Sequence, residues 1–99
     1  MAKVSIIVPT FNVEPYLKEC MESITHQTLE DIEIICINDG STDGSLAILK
    51  SYAEKDSRIK LVDKENGGKS DALNAGINIS SYPLFACLDA DSRIEPDAL

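Results

Sequence analysis

Asp89 and Asp91 follow directly on an apolar run, Leu84-Phe85-Ala86-Cys87-Leu88. A carboxylate at the end of a buried strand is costly unless something pairs with it. A second carboxylate two residues on adds repulsion. A hard divalent cation, Mg²⁺ or Mn²⁺, relieves both problems, because it binds carboxylate and phosphate oxygens together. The competing reading is a solvated acidic turn.

Three more polar loops follow apolar runs. Pro9-Thr10-Phe11-Asn12 comes after Val4-Ser5-Ile6-Ile7-Val8. Asn38-Asp39-Gly40-Ser41-Thr42-Asp43-Gly44 comes after Ile32-Glu33-Ile34-Ile35-Cys36-Ile37. Glu65-Asn66-Gly67-Gly68-Lys69 comes after Ile59-Lys60-Leu61-Val62. Each loop has a plain reading of its own. Phe11 can simply cover the end of a sheet. Asp39-Gly40 makes a good turn and Asp43 a good helix cap. Gly67-Gly68 can serve a loop that needs positive φ, and Lys69 can be a solvated lysine.

Stepping from these loops to the elements between them, the four apolar runs are short and rich in β-branched residues, as strands of a buried parallel sheet are. Helical spacing separates them. Leu17, Cys20, Met21 and Ile24 form one apolar stripe, with Asn12 as cap and Pro15 in the first turn. Leu46, Leu49 and Ala53 form a second, capped by Ser41, Thr42 or Asp43. Ala72, Leu73, Ile77 and Ile79 form a third, entered from Gly67-Gly68. Glu95-Pro96-Asp97 opens a fourth helix. The order βαβαβαβ predicts an α/β, Rossmann-like parallel sheet with right-handed crossovers. The third strand, with its alternating Arg58 and Lys60, suits an edge. Strand order 3-2-1-4 follows, with a switch point between the first and fourth strands. Ligands of open α/β sheets bind beside such a point, at the carboxyl ends of the strands. All four polar loops belong to that rim, and Asp39, Asp43, Asp89 and Asp91 are expected to converge there.

The bulk composition narrows the function classes. The chain has 99 residues, enough for one domain with one core. Its net charge of −8 argues against nucleic acid or an anionic membrane surface as partner. Phosphates remain accessible to it through a bridging cation. Cys20, Cys36 and Cys87 sit in apolar patterns and His26 is the sole histidine, so buried thiols in the reducing cytoplasm are expected, not a zinc site. Met1-Ala2-Lys3 runs straight into the first strand, which predicts no signal peptide, and no apolar run approaches a membrane span.

No Gly-x-Gly-x-x-Gly follows the first strand and no Gly-x-x-x-x-Gly-Lys-Ser/Thr is present, so the usual dinucleotide fold and the P-loop are excluded. The loops together resemble family-2 glycosyltransferases with the GT-A fold. The resemblance rests on Val4 to Asn12, on Ile37-Asn38-Asp39-Gly40-Ser41-Thr42-Asp43, on Asn66-Gly67-Gly68-Lys69 running into Ala72-Leu73-Asn74-Ala75-Gly76, and on Leu88-Asp89-Ala90-Asp91. It spans residues 1–99 as the nucleotide-sugar-binding part of a glycosyltransferase domain. It implies a UDP-sugar donor and a glycan or polysaccharide acceptor. By the same resemblance Pro9, Thr10, Phe11 and Asn12 contact the nucleotide, with Phe11 stacking on the base. Asp39 accepts a hydrogen bond from the base, and Lys69 lies near the nucleotide. Asp89 faces the ribose or sugar and shares the metal with Asp91, which neutralises the diphosphate leaving group. Residues up to about Asn66 resemble non-processive enzymes of surface-polysaccharide synthesis, and those from Gly67 onward resemble polysaccharide synthases.

The family's catalytic base and acceptor site lie beyond the Asp-x-Asp region, so no catalytic residue is assigned and the isolated chain is expected not to sustain transfer. The non-enzymatic alternative is a fragment that binds nucleotide, or only folds. An alternative enzyme, a phosphohydrolase of the haloacid dehalogenase type, fits Leu84 to Ser92 poorly, because its motif normally opens the domain. An apolar fourth strand at an edge predicts self-association there.

Overall fold

The computed structural model of the chain describes residues 4–26, 31–82 and 84–88. Four strands and three helices alternate: β1 (Val4–Thr10), α1 (Glu14–Thr25), β2 (Ile32–Asp39), α2 (Ser45–Lys55), β3 (Ile59–Lys64), α3 (Lys69–Ile79) and β4 (Leu84–Cys87). The sheet is parallel with order β3-β2-β1-β4, as the pattern of runs predicts. Strands β1 to β3 extend two residues past the apolar runs, so Thr10, Asn38, Asp39 and Lys64 are strand residues and not loop. The fourth helix expected from Glu95 and the segment holding Asp89 and Asp91 lie outside the described residues.

Right-handed crossovers sort the helices by face. The chain steps outward from β1 to β3, which puts α1 and α2 on one face. It then returns to β4, which puts α3 on the other. Side-chain alternation along the strands follows this division. Ile6, Val8, Ile34, Cys36 and Ile59 meet Leu17, Cys20, Met21, Ile24 and Leu49 on the first face. Ile7, Ile35 and Ile37 meet Ala72 on the second.

The stripe of α1 is buried as expected, with Leu17, Cys20, Met21 and Ile24 all facing inward. The stripe of α2 is rotated from the expected one. Ser45, Ile48, Leu49, Tyr52 and Ala53 face the sheet and Leu46 does not join the core. Three apolar residues within four positions leave the helix phase ambiguous, and the Tyr52 hydroxyl settles it by donating to Glu22 Oε1 on α1 (2.7 Å). On α3 the expected Ile77 and Ile79 are 39% and 41% exposed. The inward face is made by Ala72, Leu73, Ala75 and Gly76 instead. Small residues let this helix lie close to the sheet. Of the cysteines, Cys20 and Cys36 are buried, and burial pushes the Cys36 thiol up to about 12. Cys87 is exposed, against expectation. It pairs in register with Ile7 and so stands on the α3 face, but at the sheet edge, while α3 covers β1 and β2.

Glu33, in the middle of an apolar run, is 4% exposed. It accepts from the Ser5 hydroxyl (3.0 Å) and from the Ser81 amide just past α3 (2.8 Å), and pairs with Lys60 (2.9 Å). Burial alone would raise its pKa. The Lys60 ammonium, the Ser81 amide and the Ser5 hydroxyl outweigh this and hold it below the usual carboxylate value. Pro9 is tolerated in a central strand because its missing N–H lies on the β4 side, beyond the last described pair, Ile7 with Cys87.

A Cβ added at Gly76 would sit 2.5 Å from Ile7 Cγ2. Helix propensity alone would make Gly76→Ala stabilising by about 1 kcal/mol. Overpacking costs about 1–3 kcal/mol and acts against it. Gly76→Ala is therefore expected to lower the urea midpoint, and a raised midpoint would show that α3 does not lie this close to Ile7.

Candidate functional site

The carboxyl ends of β1, β2 and β3 and the amino ends of the three helices form one rim. Register fixes its layout. Thr10 pairs with Asn38, and Asp39 pairs with Lys64. Phe11 is the next residue after β1, one step past the Thr10–Asn38 pair. Phe11 is 48% exposed. Thr10 differs from its neighbour. Its side chain is buried and its hydroxyl donates to Val8 O (3.3 Å). Pro9 is half-buried on the α3 face.

Asn12 does not cap α1. It adopts φ +49°, a left-handed conformation that asparagine tolerates better than most residues. From there its Oδ1 accepts from the amides of Thr42 (2.7 Å) and Asp43 (3.3 Å), while its own amide donates to Ser41 Oγ (3.1 Å). The two helix starts then cap each other. The Glu14 amide of α1 donates to Asp43 Oδ2 (3.1 Å), and the Gly44 amide at the head of α2 donates to Glu14 Oε1 (2.8 Å). Asp43 Oδ1 also takes the Ser45 amide (2.9 Å), and Ser45 Oγ takes the Val13 amide (3.2 Å). Ser45, together with the Glu14 amide, holds the Asp43 carboxyl below its usual pKa. Asp43 is thus a cap for two helices, and Asn12 fixes the loop that carries Phe11.

Asp39 is 3% exposed. Its Oδ1 accepts from Lys64 Nζ (2.6 Å) and the Gly67 amide (2.9 Å), and its Oδ2 from the Gly68 amide (3.0 Å). Burial would raise its pKa. The Lys64 ammonium and the two amides reverse this and leave it below the ordinary carboxylate value. Oδ2 keeps one acceptor position for a further donor. Gly40 follows at φ +76°, and a Cβ there would lie 2.7 Å from the Asn66 amide nitrogen, so the β3–α3 loop packs directly on the Asp39-Gly40 turn. Gly68, at φ +92°, turns that loop into α3. Lys69 is the first residue of α3 and so belongs to the rim, but its side chain is outside the described atoms. Among the described residues no three His, Cys, Asp or Glu side chains come together to hold a metal.

Lys64 and Asp71 are rim residues that the loop motifs do not announce. Lys64 Nζ also contacts Asp71 Oδ2 (2.6 Å) and Glu65 O (2.7 Å). The signal that could have found Lys64 is the period of two in Lys60-x-Val62-x-Lys64. It puts both lysines on the face where Glu33 and Asp39 stand. Asp39 and Asp43, both expected on the rim, are present there, and protein donors occupy oxygens of each.

Asn12→Ala removes the acceptor for two amides and places alanine at positive φ. A stability loss of about 1–2 kcal/mol is expected, the scale of a lost helix cap. Asn12→Asp keeps the oxygen and should recover most of it. Equal urea midpoints for the alanine variant and the parent would show that the inter-loop bonds contribute nothing.

Comparison with known proteins agrees with this geometry. Residues 5–99 match the model of the family described as glycosyl transferase family 2. The glycosyltransferase GlyA of Streptococcus pneumoniae serotype 4 is 46% identical over 95 residues, which is 96% of this chain and 14% of GlyA. A mannosyltransferase from Pyrobaculum calidifontis, solved in complex with GDP-Man and Mn²⁺, superposes with a TM-score of 0.85 at 29% identity, over 92% of this chain and 28% of its own. Staphylococcus aureus TarS in complex with UDP-GlcNAc gives 0.83 at 30% identity, over 90% and 26% respectively. The chain thus spans between 14% and 28% of the length of these relatives. With the 3-2-1-4 sheet, the open aromatic at the end of β1 and the family match along nearly its whole length, the chain belongs to glycosyl transferase family 2.

Proposed function

We propose that the chain is the donor-binding part of a glycosyltransferase that takes a sugar from a nucleoside diphosphate, a UDP-sugar by preference, and passes it to a glycan or polysaccharide acceptor. The observation that carries this reading is an exposed aromatic, Phe11, one residue past the end of β1, beside a neighbouring strand β2 that ends on the buried Asp39 carboxylate. Phe11 offers a face for base stacking, worth about 1–3 kcal/mol in nucleic-acid sites. Asp39 Oδ2 offers an acceptor for an imide N–H, which uracil has. Lys69, at the head of α3, is given the approach to the phosphates. A relative solved with UDP-GlcNAc and another solved with GDP-Man and Mn²⁺ support a nucleotide-sugar donor and a divalent cation.

Asp39 and Asp43 have oxygens committed to protein donors, so the reading assigns the Mg²⁺ or Mn²⁺ to Asp89 and Asp91. Bound there, the cation would neutralise the diphosphate as it leaves. The chain's net charge is −8, and such a cation would ease the approach of a phosphate. The three free thiols fit a reducing compartment, and the cytoplasm is the proposed location.

UDP with Mn²⁺ should raise the melting temperature, and either alone should raise it less. At a hundredfold excess over Kd the gain is about 2.7 kcal/mol. Each kcal/mol moves the midpoint of so small a domain by roughly 4–8 °C. Asp91→Asn should remove the metal-dependent part, and Asp39→Asn should weaken UDP while sparing the metal. A parent whose melting ignores UDP and Mn²⁺ together would defeat the reading.

Self-association along β4 belongs to the same proposal. Among the described residues β4 has no strand on its outer side, and an open edge invites pairing. Sedimentation at high concentration should show a dimer or larger species, and a clean monomer would refute it.

A further inference from the structure

Lys64 ends β3 with a side chain only 21% exposed. Its three ammonium protons have three acceptors: Asp39 Oδ1, Asp71 Oδ2 and Glu65 O. None is left for solvent, so this is not a lysine whose head is simply hydrated. Each acceptor belongs to a different piece of the site. Asp39 is the rim carboxylate, Glu65 begins the β3–α3 loop, and Asp71 lies in the first turn of α3. We propose that Lys64 is a positioning residue for the nucleotide: by bridging Asp39, the loop and α3 it holds the Asp39 carboxylate ionised, with Oδ2 presented to the base.

The inference rests on the nucleotide reading above and deepens it. A base that donates an imide N–H needs a carboxylate facing it. A protonated Asp39 could present an O–H donor instead and lose that hydrogen bond. Among the described residues the groups on Asp39 are few. From β3 comes the Lys64 ammonium, from the loop the Gly67 and Gly68 amides, and from α3 the Asp71 carboxylate on the far side of Lys64. The end of β1, Pro9 and Thr10, carries no charge. Among the described side chains Lys64 is thus the cation that opposes the burial of Asp39. The folded pKa is lowered, so the carboxylate is present above it and lost as pH falls through it. Removing Lys64 moves that loss to higher pH.

The test follows the Asp39 carboxyl carbon and the Gly67 and Gly68 amides by NMR through an acid titration. Calorimetry with UDP and Mn²⁺ over the same pH range runs in parallel. In the parent, the Asp39 midpoint should lie below the ordinary aspartate value, and both glycine amides should move with it. In Lys64→Met the midpoint should rise by about 1–3 pH units. UDP affinity should fall on the acid side, and that acid loss should begin at higher pH than in the parent. UDP's own phosphate titrates in both proteins and drops out of the comparison. Lys64→Arg should restore the acid limb. A Lys64→Met protein weakened equally at every pH, with Asp39 titrating as in the parent, overturns the positioning role while leaving nucleotide binding intact. A parent that binds no UDP overturns the nucleotide reading, and the role with it. Should Lys64→Met fail to fold, the parent titration decides: glycine amides that ignore the Asp39 midpoint overturn the proposal.

Discussion

Asp39 takes two backbone amides and an ammonium at a depth where a lone carboxylate would be expelled or protonated. Glu33 does the equivalent at the other end of the same strand, with the Ser81 amide, the Ser5 hydroxyl and Lys60. The two acids are an even number of residues apart, so they share the α3 face. One receives the amides that lead into α3, and the other receives the amide just after it. Six strand steps cover about 20 Å. Eleven helical residues cover roughly 17 Å. The helix fits between its two carboxylate anchors, with the turns at Gly68 and Ser80 taking up the remainder. Gly76 against Ile7 completes the fit at close range.

The opposite face is organised by a different device. α1 and α2 start side by side and exchange caps through Glu14 and Asp43. Asn12 joins the same knot from the β1 loop. The segment carrying Phe11 is therefore tied to the loop that follows β2, and both are tied to helix starts that are buried lower down. The rim inherits its rigidity from two independent sources, one on each side of the sheet, and Asp39 and Phe11 lie where these meet.

The sheet order was legible because four β-branched runs alternate with helical stripes, and handedness leaves few ways to connect them. The rim was legible in outline, since polar motifs at strand ends can only face one way. What escaped was mostly the partner of each polar group. Asn12 reads as a cap for the helix it precedes, yet positive φ turns it toward a loop about thirty residues away. Asp43 reads as one cap and serves two. The period of two places Lys64 on the α3 face, but its partner Asp39 is met only once β3 has found its register with β2. Leu46 misled because Leu46, Ile48 and Leu49 admit two helix phases. Ile77 and Ile79 misled because a small-residue face at Ala72 and Gly76 packs tighter than a large one. Asp89 and Asp91, the first residues to suggest a metal, lie outside the described residues, and their role rests on the motif and the family.

The mutual capping has an electrostatic consequence. Helix amino ends carry partial positive charge and commonly serve as phosphate cradles. Here three such ends converge on one rim, but α1 and α2 spend theirs on Glu14 and Asp43, and α3 faces Asp39 and Asp71. Every dipole is already answered by an internal anion. Among the described residues, these helix starts are therefore closed by the protein's own carboxylates and are not left as open anion cradles.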